Sequence, residues 1–162
     1  MSSEHQPYLI SQIAPLLELA KDHYYQLVLI IGGSWRERTL FLKEIASHYE
    51  YAYVALGLPL SRSLLDRSLR DRPMVLADHM STLIAPHSEG GIALDQIEIL
   101  FDPALHTDPL RLLQMHARSR LIVASWPGQY DRNRLTYAGH GHPEYYSHAV
   151  NGLLTYSLEV KG

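Results

Sequence analysis

The chain contains no cysteine among its 162 residues. Disulfide frameworks, thiolate metal sites and cysteine nucleophiles are therefore excluded. Lysine is scarce as well: of 14 cationic residues only Lys21, Lys43 and Lys161 are lysines. The remaining arginines favour planar, bidentate contacts to carboxylates or phosphates, although genome composition explains such a skew equally well. An excess of positive charge is missing. The formal net charge of −3 argues against a sequence-independent grip on nucleic acid, which needs a concentrated basic face. Long hydrophobic runs are missing too. The longest aliphatic run, Leu27 to Ile31, is far too short to cross a bilayer, and the start "MSSEHQPYLI" has no charged-then-oily signal pattern. A cytoplasmic location is expected.

What is present is an ordinary globular composition. Hydrophobic residues make up 46% and charged residues 19%, enough apolar material for a packed core. The length suits one domain. A single domain over residues 1–162 is expected, with an N-terminal helical segment over 1–24 and a core over 25–160. No repeat, low-complexity tract or linker breaks it.

Hydrophobic periodicity alternates along the chain. Ile10, Ile13, Leu16, Leu17 and Ala20 form a helical stripe within residues 8–23, with Pro15 predicted to break or start a helix there. "QLVLIIGG" is a continuous apolar run closed by glycines, the pattern of a strand buried on both faces. "TLFLKEIASHYE" returns to helical spacing. "YAYVALG" predicts a second strand, and helices are expected over roughly 61–70 and 73–84. "GGIALD", "RLIVASW" and "LLTYSLEV" predict three more strands. Before the fourth strand, Asp108 followed by Pro109 marks a helix start. Strands alternating with helices imply crossover connections, so the expected fold class is α/β, with a mostly parallel five-stranded sheet and helices on both faces. Ligands of such sheets sit at the carboxyl ends of the strands. Here that rule points to Gly32 onward, Asp95 and Ser125.

"IIGGSWRERTL" has the context of a phosphate-binding loop: a buried strand, a glycine turn and then a helix. The pattern G-x-x-x-x-G-K-[ST], with Thr39 in its last position, spans Gly32, Gly33, Ser34, Trp35, Arg36, Glu37, Arg38 and Thr39. Two signature positions depart from it. Arg38 keeps a positive charge but is bulkier than lysine and not a compact point charge. Glu37 stands where a glycine should let the backbone approach phosphate. A bare helix N-terminus welcomes its charge, so Glu37 could itself fill the anion site, pairing with Arg36 or Arg38.

Asp95, at the end of the third strand, has the placement of an acid that holds Mg²⁺ with Thr39 beside a bound ATP. Its bland alternative is a helix cap. Gln96 follows where a catalytic glutamate would polarise water; it can hydrogen-bond water but cannot take its proton. Glu98 is the nearby carboxylate. Ser125, ending the fourth strand, could sense a terminal phosphate, whereas Trp126 and the Pro127–Gly128 turn signal only a strand end.

The segments "LD" at Leu94–Asp95, "EILFDPAL", "DPLRLLQ", "VASWPG" and "LTYAGHGHPEY" together resemble the small P-loop protein of type III BREX phage-defence systems, the BrxF family. The similarity spans roughly residues 25–160. It implies a P-loop NTPase-like three-layer sandwich and an ATP-related role among other BREX proteins that restrict phage DNA. Family members would carry glycine and lysine where this chain has Glu37 and Arg38, a departure that bears on hydrolysis more than on binding. A helical lid domain of the kind found in AAA+ ATPases is not expected after the last strand. Any homo-oligomer, or any contact with DNA, would then use the core domain or its partners. Candidate trans-acting arginines are Arg118, Arg120, Arg132 and Arg134, each more often a solvated surface residue.

Three other constellations carry blander readings. His140, His142, Glu144 and His148 crowd one loop but lack a fixed ligand geometry. Tyr24, Tyr25, Tyr49, Tyr51, Tyr53, Tyr145 and Tyr146 could stack on bases, yet their strand-end positions suit core-edge packing. Arg62, Arg67, Arg70 and Arg72, interleaved with Asp66 and Asp71, suit a salt-bridged exposed helix.

Overall fold

The computed structural model describes residues 6–87, 90–139 and 141–158. The first apolar stripe forms α1 (Gln6–Lys21), which runs through Pro15. The expected break does not occur. Pro15 lacks only the N–H that would bond the carbonyl of Ser11, and Ser11 is exposed to water.

β1 (Leu27–Ile31) is buried along its whole length. Leu27, Leu29 and Ile31 enter one core cluster, while Val28 and Ile30 enter another. A strand with two buried faces needs such an uninterrupted apolar run. α2 (Trp35–Tyr49), β2 (Ala52–Ala55), α3 (Gly57–Leu65) and α4 (Arg72–Ile84) follow. Next come β3 (Ile92–Asp95), α5 (Pro109–His116) and β4 (Ile122–Ser125). The chain then passes through β5 (Gln129–Asp131), β6 (Arg134–Tyr137) and β7 (Tyr146–Ala149) into β8 (Leu154–Ser157).

Five strands form one sheet in the order β2-β3-β4-β1-β8, and each neighbouring pair is parallel. α1 and α2 cover one face, with Ile13, Leu17, Phe41, Leu42 and Ile45 buried there. α3, α4 and α5 cover the other through Leu60, Leu76, Met80, Ile84 and Leu113. Each fully buried aliphatic of this kind stabilises the fold by about 1.5–3 kcal/mol. This is the three-layer, P-loop NTPase-like sandwich. Among the described residues it carries no helical lid.

Two boundaries and one element differ from the sequence expectation. α2 starts at Trp35 rather than Thr39, and α3 spans Gly57–Leu65 rather than 61–70. The unexpected element is the antiparallel sheet β5-β6-β7. Its first hairpin turns on Arg132 (φ 51°) and Asn133 (φ 60°), both left-handed as a two-residue turn of this hand requires. Trp126 anchors the sheet to the core: its ring is fully buried and its Nε1–H donates to the Thr136 carbonyl at 2.9 Å.

Candidate functional site

Insertion of β4 between β3 and β1 brings three strand ends together. Ser125 lies opposite Ile30 in the β1–β4 register. Asp95 lies opposite Ala55 in the β2–β3 register. Ala93 belongs to the core on the α2 face, and strand alternation aims Asp95, two residues on, at α2 as well.

The turn after β1 consists of Gly32, Gly33 and Ser34. Gly32 (φ 78°) and Gly33 (φ 63°) are both left-handed, a conformation that glycine adopts at no steric cost. The chain then enters α2 at once. The Ser34 side chain accepts from the Glu37 N–H at 3.1 Å, and the Glu37 carboxylate accepts from the Ser34 N–H at 2.7 Å. This reciprocal capping box satisfies two N–H groups that an open loop would leave for an anion. The loop expected over Gly32–Thr39 is thereby shortened, and Trp35 through Thr39 are helical. Trp35 and Arg36 are exposed, with the guanidinium lying over the indole at 5.3 Å. Glu37 takes the helix end through its bond to the Ser34 N–H. It pairs with neither arginine, since Lys21–Glu18 is the one ion pair among the described residues.

Arg38 turns inward. Its residue is 6% exposed. Nε donates to the Ser125 hydroxyl at 2.9 Å, and one terminal nitrogen donates to the carbonyls of Gly32 at 3.2 Å and Gly33 at 3.1 Å. The guanidinium thus binds carbonyls in a place where a phosphate loop aims N–H groups. Burial lowers its pKa from the ordinary arginine value, and the carboxylates of Glu98, Asp95 and Glu37 pull it back up. It stays charged.

Asp95 is 3% exposed and fully engaged. Its Oδ2 accepts from the Thr39 hydroxyl and from the Tyr53 hydroxyl, both at 2.6 Å. Its Oδ1 accepts from the Gln96 N–H at 2.8 Å. Three donors around a buried carboxylate supply the charge-assisted bonds that burial demands. Burial, and then the bond to Asp95, raise the Tyr53 pKa well above the usual phenol value. Tyr53 is the site residue that sequence reasoning missed: it was read only as a packing or stacking aromatic. No local signal reports it, because β2 becomes the neighbour of β3 only in the folded sheet.

Gln96 and Glu98 are not drawn in. Gln96 leaves the strand in a left-handed conformation (φ 58°) and is exposed. Its side chain packs on Gly57, where an added Cβ would lie 2.6 Å from its Oε1. Glu98 sits exposed on a 3-10 turn over Ile97–Phe101 and reaches Arg38 only through its field. A polar cleft of 520 Å³ opens beside Gly32, Gly33 and Arg38, walled by Gln129, Thr136 and Tyr137.

The remaining candidates are dispersed. Arg118 lies over the Tyr24 ring at 4.9 Å. Arg120 donates to the Ile84 carbonyl at 3.0 Å, and Arg134 to the Ser147 hydroxyl at 2.8 Å. Arg132 sits at the hairpin tip. His140 lies outside the described residues, and the His142 ring accepts from the Glu144 N–H at 3.0 Å. Among the described residues no group of three or more histidines and carboxylates could hold a metal ion. No helix there is long and apolar enough to cross a membrane.

The parallel sheet, the glycine turn after β1 and the buried Asp95 ending β3 define a P-loop NTPase-like α/β fold. No protein-family model matches the chain, and no curated protein matches it. Solved structures do. A structure of C. elegans PCH-2 aligns at 19% identity and a TM-score of 0.42, covering 78% of this chain and 37% of that one. A structure of katanin, described for its self-assembly, aligns at 15% identity and a TM-score of 0.38, covering 78% and 44%. The chain thus spans less than half the length of each.

Proposed function

We propose that the chain is a component of a BREX-type antiphage defence system that keeps the P-loop NTPase fold as a nucleotide-free interaction module. The defence role rests on the resemblance carried by "EILFDPAL", "VASWPG" and "LTYAGHGHPEY". The loss of nucleotide rests on one observation, the seat of Arg38 under the glycine turn. A phosphate entering there would have to displace the guanidinium from two carbonyls and a hydroxyl. Magnesium fits no better. Thr39 and Asp95, its expected ligands, are bonded to each other, and Tyr53 fills the second position on the same oxygen. The module works in the cytoplasm by contact with other BREX proteins and as a homo-oligomer, and it reaches DNA through them.

The test is thermal unfolding and calorimetry with magnesium-ATP at millimolar concentration. No shift and no binding heat are expected; phosphate-like density in a crystal at the glycine turn would overturn the reading.

A second reading is weak ATP binding with slow or absent hydrolysis. The polar cleft that opens onto Gly32, Gly33 and Arg38 favours it. A shift at millimolar magnesium-ATP that Arg38→Ala removes would establish it.

A further inference from the structure

The segment linking α3 to α4 presents apolar side chains outward. Leu60 and Leu64 pack inward, so helical geometry places Leu58, Arg62 and Leu65 together on the opposite face. Leu58 is 58% exposed, Leu65 73%, Leu69 62% and Met74 76%. Four large apolar side chains exposed within residues 58–74 offer the apolar contact that interaction sites use. The scaffold beneath it is tied down. The Arg67 N–H donates to the Leu64 carbonyl at 3.1 Å and the Asp71 N–H to the Ser68 carbonyl at 3.0 Å, while Arg72 Nε donates to the Arg67 carbonyl at 3.2 Å.

The charge of this face sets it apart. Residues 58–74 hold four arginines against two aspartates, in a chain whose net charge is −3. Arg62, Arg67 and Arg70 are exposed and take no part in the one ion pair among the described residues. The complement of this surface is therefore apolar and acidic at once. Duplex DNA supplies the negative charge but nothing for the leucines and Met74 to be buried against.

From this complementarity we propose that the α3–α4 face docks an acidic amphipathic helix of a partner protein. The apolar stripe of that helix covers Leu58, Leu65, Leu69 and Met74, and its flanking carboxylates meet Arg62, Arg67 and Arg70. An amphipathic helix meets such a surface through apolar anchors at i, i+3, i+4 and i+7. The proposal rests on the interaction-module reading and supplies its partner surface.

The experiment uses two fluorescent helical peptides with the same leucine stripe, one flanked by glutamates and one by lysines. Anisotropy should show the glutamate peptide binding at least about tenfold more tightly, with the gap narrowing as salt rises. Leu65→Asp combined with Met74→Asp should abolish binding and leave the thermal midpoint unchanged, since both residues are exposed. Equal binding of the two peptides, or none, overturns the proposal. So does self-association that Leu65→Asp abolishes, because a second copy then covers the face. Binding confined to phosphatidylserine vesicles or duplex DNA overturns it as well. Magnesium-ATP is tested on the same samples. A thermal shift with peptide binding intact overturns only the nucleotide-free reading, and peptide failure without a shift overturns only the docking surface.

Discussion

Arg38 and Ser125, 87 residues apart in sequence, are joined by a 2.9 Å hydrogen bond that locks the start of α2 to the end of β4. The same guanidinium holds the carbonyls of Gly32 and Gly33, so one side chain binds the turn, the helix and the sheet. Arg38→Ala leaves a buried hydroxyl and two turn carbonyls without their donor. The expected loss of stability is about 2–4 kcal/mol, read as a fall in the urea midpoint at unchanged slope. Arg38→Lys should fall between wild type and alanine, because a single ammonium cannot span all three acceptors. A midpoint for Arg38→Ala equal to wild type would show that the guanidinium is a passenger.

The double variant Glu37→Gly with Arg38→Lys restores the glycine and lysine of a phosphate loop. It removes the carboxylate from the Ser34 N–H and replaces the guanidinium under the turn with an ammonium that cannot hold all three acceptors. Magnesium-ATP binding, not expected of wild type at millimolar concentration, should become measurable by calorimetry, while the lost Glu37 half of the capping box and the helical glycine lower stability by about 1–2 kcal/mol. Absence of any gain would mean that the turn is misread as the remnant of a phosphate loop.

The central strands β1, β3 and β4 were legible because each is buried along its whole length, and only a continuous apolar run such as Leu27–Ile31 satisfies that environment. The edge strands β2 and β8 are mostly half-buried. The placement of Asp95 and Ser125 at strand ends followed from the same runs. The turn was harder. Two signals overlap in it: the glycines of a phosphate loop, and the S-x-x-E of a capping box formed by Ser34 and Glu37. The second wins locally, because it satisfies two helix-end N–H groups without a ligand. Tyr53 and the inward course of Arg38 were illegible for another reason: their partners lie 42 and 87 residues away, and strand order decides who meets whom. The antiparallel sheet escaped notice because its strands are three or four residues long and largely exposed or half-buried.

The Tyr53 hydroxyl makes stability fall at alkaline pH. Burial, then the bond to Asp95, raise its pKa in the folded state; burial and Asp108 do the same for Tyr146. A raised folded pKa favours the protonated folded form. Above the unfolded phenol value of about 10 the unfolded chain therefore binds fewer protons than the folded one, and stability declines as pH rises. Urea midpoints from pH 8 to 11 should drop for wild type. Tyr53→Phe should start lower at pH 8, by about 1 kcal/mol for the lost bond, and then decline less steeply. Parallel curves for the two proteins would remove Tyr53 as the cause.

Gly128 is fixed by space rather than by backbone conformation. A Cβ at this position would collide with the carbonyl of Thr136, the same carbonyl that accepts the Trp126 indole N–H at 2.9 Å. β5 and β6 also pair Gln129 with Thr136, so the carbonyl cannot retreat without breaking that register. Gly128→Ala should therefore push β6 outward, strip the indole of its partner and expose a ring that is fully buried in the native fold. A loss of about 3 kcal/mol or more is expected, in line with overpacking plus an orphaned buried donor. A Trp35→Phe background leaves Trp126 as the single tryptophan. Its emission should then shift to the red in the alanine variant, together with a lower thermal midpoint. Unchanged emission and midpoint would show that β6 yields freely, and that the antiparallel sheet is not anchored through Trp126.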